Sequence, residues 1–255
     1  MPECPLLTAR WTDLLLLNFA VPVEVIAGLV PPGTEPDLHE GKAYISVVGF
    51  RFRSVRFLGV PIPGHTRFDE INLRYYVKRT VGSEVRRGVV FVREIVPRRA
   101  VAIMANRLYN ENYVTRTMRS ATTMTGTELL VGDTLEYSWG SERGRPRRGQ
   151  RQCDWNRLAA RVAAPLELPS AGSLDEFIVE HYWGYVRGRD GQTREYRVAH
   201  RPWRVARADD VTWECDVPTT FDLPLAEYLA VPPANALVAE GSAVQVFRGR
   251  RVEGR

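Results

Sequence analysis

Residues 68–78 read FDEINLRYYVK and indicate the fold more clearly than any other stretch of the chain. Apolar side chains occupy every second position, and the positions between them are mostly polar. A period of two is typical of a β-strand, because successive side chains point to opposite faces of a sheet. One face of the predicted strand therefore carries Ile71, Leu73, Tyr75 and Val77, and the other carries Phe68, Glu70, Asn72, Arg74, Tyr76 and Lys78.

The polar face of this strand permits two interpretations. It either faces solvent, or it lines a cavity inside a curved sheet whose side chains leave room for a small ligand. In the second case Glu70, Asn72 and Arg74 point inward together. Burial would then raise the pKa of Glu70 and make its carboxyl a proton donor or acceptor near neutral pH, while Arg74 could hold a carboxylate or enolate. Glu70 and Arg74 lie roughly 13 Å apart along a strand, so each needs another partner.

The rest of the chain predicts many strands and few helices. Residues 43–52 are apolar on both alternating faces, which is typical of a strand covered on both sides. Ser173 and Glu176 have the spacing of a capping box and predict a short helix over residues 174–180. Further helices are predicted at residues 23–29 and after Pro97. Further strands are predicted at residues 6–20 (or a short apolar entry segment), 55–60, 88–96, 112–118, 127–139, 152–162, 182–187 and 194–200.

This pattern indicates a mainly antiparallel α+β or barrel-like architecture. The sequence shows no internal repeat and no long low-complexity linker, so residues 1–255 are expected to form a single domain. No apolar run is long enough to span a membrane, and the first residues lack the features of a signal peptide. A cytoplasmic location is therefore expected. Cys4, Cys153 and Cys215 form no paired motif and are expected to be free thiols.

The chain is basic, with a formal net charge of +5, and nearly all of its basic residues are arginines. Only Lys42 and Lys78 are lysines. Arginine is scattered through every segment and no nucleic-acid-binding module is evident, so nucleic acid is not predicted as a partner. The arginine-rich residues 143–151 are either a solvated hairpin tip or a grip for a phosphate.

Familiar catalytic motifs are absent from the sequence. It contains no phosphate-binding glycine loop, no dinucleotide fingerprint, no zinc-protease motif and no serine nucleophile elbow. The four histidines, His39, His65, His181 and His200, lack the spacing of metal ligands. Neither a metal nor a cofactor is predicted.

Several segments together resemble a known family, the YqjF-like uncharacterised conserved proteins, which are grouped with the acetoacetate decarboxylase-like fold. The resemblance covers most of the chain, and it includes residues 68–77, of which residues 70–77 are the most specific part. The other matching segments are WTDLL (11–15), VP (21–22), LVP (29–31), GKAY (41–44), GVVF (88–91), FIVEHY (177–182) and HRPW (200–203).

The resemblance implies a cone-like antiparallel barrel with a few short helices and a central pocket. In the decarboxylases, a Glu on one strand and a Lys soon after a helix build the site, and the Lys forms a Schiff base. Glu70 matches that Glu. The region expected to hold the lysine, residues 107–114, contains none, and Tyr113 stands at or beside its position. Schiff-base decarboxylation is therefore not expected, and fold alone does not supply another activity.

These observations lead to one main hypothesis and one alternative. The main hypothesis is a central pocket that binds, or transforms without a Schiff base, a small anionic or carbonyl metabolite. Glu70 would transfer protons and Tyr113 would donate to an oxyanion. The alternative is a non-catalytic binding or assembly protein whose interior is filled by its own side chains, and a homo-oligomer is possible in either case. The expected ligand-binding residues are Asn72, Arg74, Tyr76, Tyr109, His200 and Trp203.

Overall fold

The computed structural model describes residues 3–140, 155–221 and 225–252. Short helices connect long strands in this part of the chain. The helices are α1 (Val23–Ala27), α2 (Arg99–Leu108), α3 (Leu174–Val179), α4 (Val217–Phe221) and α5 (Ala226–Leu229). The strands are β1 (Leu7–Val21), β2 (Glu35–Pro36), β3 (Ala43–Phe57), β4 (Val60–Pro61), β5 (Phe68–Val81), β6 (Glu84–Val96), β7 (Tyr113–Thr115), β8 (Met118–Thr123), β9 (Thr134–Gly140), β10 (Trp155–Val162), β11 (Trp183–Arg187), β12 (Thr193–His200), β13 (Val205–Glu214), β14 (Asn235–Ala239), β15 (Ala243–Val246) and β16 (Arg250–Arg251).

The strand pairings close on themselves. The order β3-β5-β6-β11-β12-β15-β1 returns to β3 because β1 and β3 also pair along nearly their whole lengths. All neighbours in this ring are antiparallel except β6 and β11, which are parallel. A closed ring has an inside and an outside, so the alternation along each strand separates two sets of side chains. The predicted mainly antiparallel β fold with a few short helices is confirmed.

A second sheet branches from the ring at β1. The first half of β1 pairs with β15 inside the ring, and its second half pairs with β14, which leads through β13 and β10 to β9 and β8. Tyr137 and Trp139 of β9 are fully buried in the same apolar cluster as Ile45 and Ile71 of the ring. This cluster occupies the layer between the ring and the second sheet. A separate apolar cluster, which includes Leu16 and Phe50, lies on the inner face.

A β-bulge in β1 sets which of its residues face inward. The register between β1 and β3 shifts between Thr12 and Leu15, and Asp13 adopts a left-handed conformation with φ of 58°. The extra residue lets Trp11 and Leu14, three positions apart, both line the interior. The Tyr137 hydroxyl donates to the carbonyl of Asp13, so the second sheet holds the bulge in place.

Two predicted strands have different limits in the structure. Residues 43–52 and 55–60 were expected to be separate strands, but β3 continues unbroken to Phe57. The segment predicted as one strand over residues 127–139 is a strand only from Thr134. The Asp133 carboxylate accepts hydrogen bonds from the Thr125 and Leu130 amides and thereby stabilises a loop before that strand.

Other sequence features behave as expected or fall outside the described residues. The Ser173 hydroxyl accepts from the Glu176 amide and caps α3, while the Glu176 carboxylate accepts from the Gly172 amide. Residues 112–118 are divided between β7 and β8. The arginine-rich residues 143–151, Cys153 and the beginning of the predicted strand at 152 lie outside the described residues. Among the described helices, none has the length and apolar character needed to cross a bilayer.

The contact between the two layers gives a stability prediction at Gly49. A Cβ atom there would lie 2.7 Å from Tyr137 Cδ2 and 2.9 Å from Ile71 Cδ1, and both of these residues are fully buried. Gly49→Ala should therefore lower the free energy of unfolding by about 1–3 kcal/mol, measured by urea denaturation. Gly28→Ala is the matched control, because a Cβ atom there would meet nothing within 4 Å. Equal effects of the two substitutions would contradict this packing argument.

Candidate functional site

A cavity of about 130 Å³ lies inside the strand ring. Its walls come from β1, β3, β5, β6, β11 and β12, and α2 covers part of it with Val101, Met104, Ala105 and Leu108. An engineered cavity of about 150 Å³ is known to bind benzene, so this space suits a molecule of a few heavy atoms. Its aromatic lining consists of Trp11, Phe50, Phe52, Phe57, Phe68, Phe91, Tyr109, Tyr113, Trp183, Tyr196 and Trp203.

Glu70 is buried in the wall of this cavity. It is 2% exposed and accepts two hydrogen bonds, from Asn72 Nδ2 at 3.1 Å and from the Tyr113 hydroxyl at 3.0 Å. Burial raises the pKa of Glu70 to about 7, although both hydrogen bonds act in the opposite direction. Its carboxyl can therefore gain or lose a proton near neutral pH.

Tyr113 is held in place through its main chain. Its amide donates to Asn106 Oδ1 at 2.8 Å, and Asn106 Nδ2 donates to its carbonyl at 3.0 Å. Tyr113 opens β7, which pairs in parallel with β6 and places Tyr113 beside Glu94. Burial, followed by the charges of Glu70 and Glu94, raises the pKa of Tyr113 well above its ordinary value. Its phenol therefore stays protonated and acts as a hydrogen-bond donor.

A bulge in β6 brings Glu94 to the cavity. Asn72 pairs with Glu94, but Arg74 pairs with Phe91, so β6 carries one residue more than β5 over this interval. The extra residue lets Phe91 and Glu94, three positions apart, both face inward. Glu94 is 2% exposed. Burial and the nearby carboxyl of Glu111 raise its pKa well above the ordinary range, which favours the protonated form of Glu94.

Glu111 reaches the cavity through the turn that ends α2. Asn110 follows the helix with φ of 60°, a conformation that asparagine tolerates better than most residues. Glu111 then accepts a hydrogen bond of 2.7 Å from the Tyr196 hydroxyl. Burial raises the pKa of Glu111 to about 8. The Tyr196 ring lies over Gly184 of the paired strand, where a Cβ would come within 2.1 Å of the ring, so only glycine fits beneath it.

These groups form a carboxyl cluster, which we define as Glu70, Glu94 and Glu111 with the phenols of Tyr113 and Tyr196. Among the described residues, no arginine, lysine or histidine lies within salt-bridge distance of any of the three carboxyls. Without a cation, three buried negative charges would repel each other and lose their hydration. The cluster therefore holds protons in its resting state, and its two phenols supply further hydrogen-bond donors.

Farther along β5 the cavity wall carries an arginine. Arg74 follows Glu70 by four residues on β5, and its Nη2 donates to the carbonyl of Ile178 at 3.1 Å. Arg74 Nε is buried without a hydrogen-bond partner among the described residues. The guanidinium lies 5.5 Å from the centre of the Tyr76 ring. Arg74 thus retains donor capacity for a ligand in the cavity that it lines.

Two histidines also line this part of the cavity. Burial lowers the pKa of His181 to about 4, so its imidazole is neutral beside Asp37, whose Oδ2 lies 3.6 Å from Nε2. Burial also lowers the pKa of His200. The His200 ring stacks on Trp203 with centroids 4.3 Å apart, and Trp203 Nε1 donates to Ser242. The cavity therefore combines a carboxyl cluster with one permanent cation, Arg74.

The structure brings most of the predicted site residues to one cavity. The polar face of residues 68–78 is buried at Glu70 and Asn72 and is partly exposed at Lys78. Glu70, Asn72, Arg74, Tyr109, Tyr113, His200 and Trp203 all line the cavity. Tyr76 does not: its hydroxyl is hydrogen-bonded to Ser46 at 2.6 Å, and its ring packs against Phe177 and His181 beneath Arg74.

Four titratable residues that line the cavity were not predicted from the sequence. Glu94, Glu111 and Tyr196 complete the carboxyl cluster, and His181 lies near Arg74. The only available sequence signal was the run after α2, where Tyr-Asn-Glu follows an amphipathic helix and Asn is a common residue just past a helix end. Among the described residues, no group of three or more histidine, cysteine, aspartate or glutamate side chains is placed to hold a metal ion.

Comparisons with known proteins identify a family for this sequence. The sequence profile of the DUF2071 family, described as uncharacterized conserved proteins, matches residues 8–243. The uncharacterized protein YqjF of Bacillus subtilis (strain 168) is 26% identical over 229 residues, which cover 89% of this chain and 84% of the relative.

Solved structures with acetoacetate decarboxylase-like folds superpose on the whole chain. The enduracididine biosynthesis enzyme MppR complexed with pyruvate has a TM-score of 0.60 at 14% identity and covers 99% of this chain and 92% of its own. Acetoacetate decarboxylase from Legionella pneumophila has a TM-score of 0.62 at 9% identity and covers 99% of this chain and 88% of its own. At this level of identity the likeness shows the fold alone.

The raised pKa values of the cluster give a prediction about stability and pH. Glu111 holds a proton up to pH of about 8 in the folded chain but loses it near pH 4.5 when unfolded. Between these values the folded state binds more protons, so the free energy of unfolding falls as pH rises, by about 1.4 kcal/mol per pH unit for one such group. Glu111→Gln should reduce this slope by about that amount in urea denaturation at pH 5, 6 and 7.

Glu24→Gln provides the control for this measurement. Glu24 is exposed on α1, so its replacement should leave the slope of stability against pH as in the original chain. A slope that is unchanged in Glu111→Gln, or equally changed in both variants, would contradict the protonated cluster.

Proposed function

The chain belongs to the DUF2071 family of uncharacterised conserved proteins, and we propose that it binds a small carbonyl compound with a carboxylate group and transfers protons to and from it. The observation that carries this proposal is the buried Glu70 carboxyl, with a pKa of about 7 and no cationic partner among the described residues, on the same strand as Arg74. One group can exchange a proton, and the other can fix an anion.

The size and lining of the cavity support a compact ligand. About 130 Å³ accommodates a few heavy atoms, and most of the lining is apolar or aromatic. Arg74 Nε has no partner in the described part of the chain, so a ligand carboxylate would relieve an unsatisfied buried donor. A 2-oxo acid has the required carbonyl next to a carboxylate. The fold neighbour MppR, whose structure was solved as a complex with pyruvate, supports this choice of ligand class.

The carboxyl cluster supports acid–base chemistry with divided roles. Glu70 is partly ionised near pH 7, so its carboxylate can remove a proton from the carbon next to the ligand carbonyl. Glu94, with its pKa raised well above the ordinary range, can donate a hydrogen bond to the enolate oxygen that forms. The neutral phenol of Tyr113 donates to the Glu70 carboxylate at rest, and it can donate to the enolate oxygen once Glu70 has taken the proton. Return of the proton to carbon or oxygen completes the exchange without any external reactant.

A Schiff base has no place in this proposal. The chain contains only Lys42 and Lys78, and neither of them lines the cavity. Lys78 Nζ lies 3.8 Å from the Glu35 carboxylate. Tyr113 hydrogen-bonds Glu70 from the region where the decarboxylases carry their lysine, and a phenol cannot form an imine.

Ligand binding can be tested by thermal denaturation with pyruvate and longer 2-oxo acids. A ligand that binds in the cavity at about 100 times its Kd should raise Tm by roughly 5–10 °C. Arg74→Met keeps the apolar stem and removes the charge, so it should abolish the rise while changing the ligand-free Tm little. Arg107→Met, at an exposed position on α2, should retain the full rise. A rise that persists in Arg74→Met would place the anion elsewhere.

Proton transfer can be tested without knowing the overall reaction. In D₂O near neutral pH, the protein should accelerate exchange of the C3 hydrogens of a bound 2-oxo acid, followed by NMR. Glu70→Gln should slow this exchange at saturating ligand by at least roughly 100-fold, because it removes the base. Glu40→Gln, at an exposed position, should accelerate exchange of the C3 hydrogens as much as the original chain does. Equal rates in Glu70→Gln and the original chain would exclude Glu70 as the base.

A further inference from the structure

A second concave region lies outside the cavity and is lined mainly by arginines. It is an open cleft of about 800 Å³, formed where the middle of β3 and the start of β5 meet the beginning of α2 and the turn from β7 to β8. We call it the arginine cleft and define it by its basic residues, Arg51, Arg53, Arg67, Arg98, Arg99 and Arg116. Nothing in the proposed acid–base chemistry requires these residues.

The positive charge of the arginine cleft is mostly not neutralised within the described part of the chain. Both of its nearby carboxylates, Asp13 and Asp69, are directed at Arg51, at 3.0 and 3.7 Å. No described carboxylate lies within salt-bridge distance of four further arginines of the cleft, Arg53, Arg67, Arg98 and Arg99. Elsewhere many arginines of this chain do have acidic partners, as Arg86 and Arg161 show.

Arginines collected from separate parts of the sequence favour a ligand with several negative charges. Arg53, Arg67 and Arg98 come from β3, the loop before β5 and the start of α2. Gathering like charges in one concavity is unfavourable unless an anion offsets it. The planar guanidinium donates two parallel hydrogen bonds to phosphate oxygens, whereas lysine acts as a point charge.

The volume and the lining of the cleft favour a small ligand over a nucleic acid. Its volume is within the range of pockets for small molecules. Single-stranded nucleic acid needs exposed aromatic faces for base stacking. The aromatic residues of the cleft, Phe52 and Phe68, are stacked on each other at 4.6 Å and buried, so their faces are not available. The same two rings also line the cavity, so they form a wall common to both spaces.

We propose that the arginine cleft is a binding site for a small phosphorylated ligand that carries at least two negative charges, such as a diphosphate or a phosphate ester. The site is separate from the 2-oxo acid cavity, and its occupancy does not depend on Glu70 or Arg74. A phosphate group would lie between Arg67 and Arg98 and offset the charges of the arginines around it.

The proposal is tested by calorimetric titration of the full chain with inorganic pyrophosphate. Pyrophosphate should bind with one site per chain, and the double variant Arg67→Gln/Arg98→Gln should raise its Kd at least tenfold. Arg189→Gln/Arg248→Gln is the matched control, since it removes the same charge from two exposed positions outside the cleft and should leave the Kd within about twofold. Both double variants should keep the ligand-free Tm, because the substituted side chains are exposed.

Three outcomes would contradict the proposed phosphate site. The first is no binding at about 1 mM pyrophosphate. The second is an equal loss of affinity in the two double variants, which would indicate attraction by net charge alone. The third is retention of single-stranded DNA that pyrophosphate does not displace and that Arg67→Gln/Arg98→Gln removes, which would make the cleft a nucleic-acid surface. Because this measurement needs no turnover and no 2-oxo acid, failure of the proposed function would leave its result intact.

Discussion

The pairing of β1 with β3 is the constraint on which the rest of the structure depends. It joins the first and third strands along most of their length and closes the path that runs through β5, β6, β11, β12 and β15. Once the path is closed, a period of two divides every strand into an inner and an outer face. An open sheet would leave Glu70 and Asn72 on a surface that water could reach. Closure instead turns a polar strand face into the wall of a cavity.

Burial of three carboxyls is the main cost of this arrangement. A buried charge without a cation is strongly unfavourable, and the described part of the chain provides none beside Glu70, Glu94 or Glu111. Protonation removes the charge, and Tyr113, Tyr196 and Asn72 satisfy individual oxygens. Glu94 Oε2 still has no hydrogen-bond partner within the described residues. A cluster of buried carboxyls that destabilises the ligand-free protein but can transfer protons is typical of a functional site.

The sequence predicted polar residues of the cavity wall where the chain is regular and missed others where the chain is irregular. On β5 the alternation is undisturbed, so Glu70, Asn72 and Arg74 were correctly placed on one face. Glu94 was missed because its strand carries an extra residue, and a bulge leaves no clear mark in a sequence. Glu111 was missed because its position depends on the turn at Asn110 after α2.

The same alternation correctly places Tyr76 on the inner face of the ring. It cannot show whether the interior at that point is a cavity or a packed core, so Tyr76 was wrongly predicted to line the cavity. Farther along β5 the interior is filled by Phe177 and His181, so the Tyr76 ring is enclosed by side chains that are distant in sequence. Packing between distant segments, unlike strand periodicity, is not encoded in any local pattern. The strand-rich fold could therefore be inferred from local patterns along the chain, whereas the extent of the cavity required the whole ring.

The carboxyl cluster joins two parts of the structure that differ in how firmly they are held. Glu70 and Glu94 lie on the ring strands β5 and β6, whereas Glu111 and Tyr113 follow α2, of which only Ala102 is buried. Asn106 ties α2 to the main chain of Tyr113 through two hydrogen bonds. A displacement of α2 would therefore carry Tyr113 away from Glu70 and admit water, and hydration would lower the pKa of Glu70. The proposed chemistry needs a pKa near neutrality for Glu70, and Glu70 has such a pKa only while α2 covers the cavity. The enclosure of the site and the basicity of Glu70 therefore depend on the same short helix.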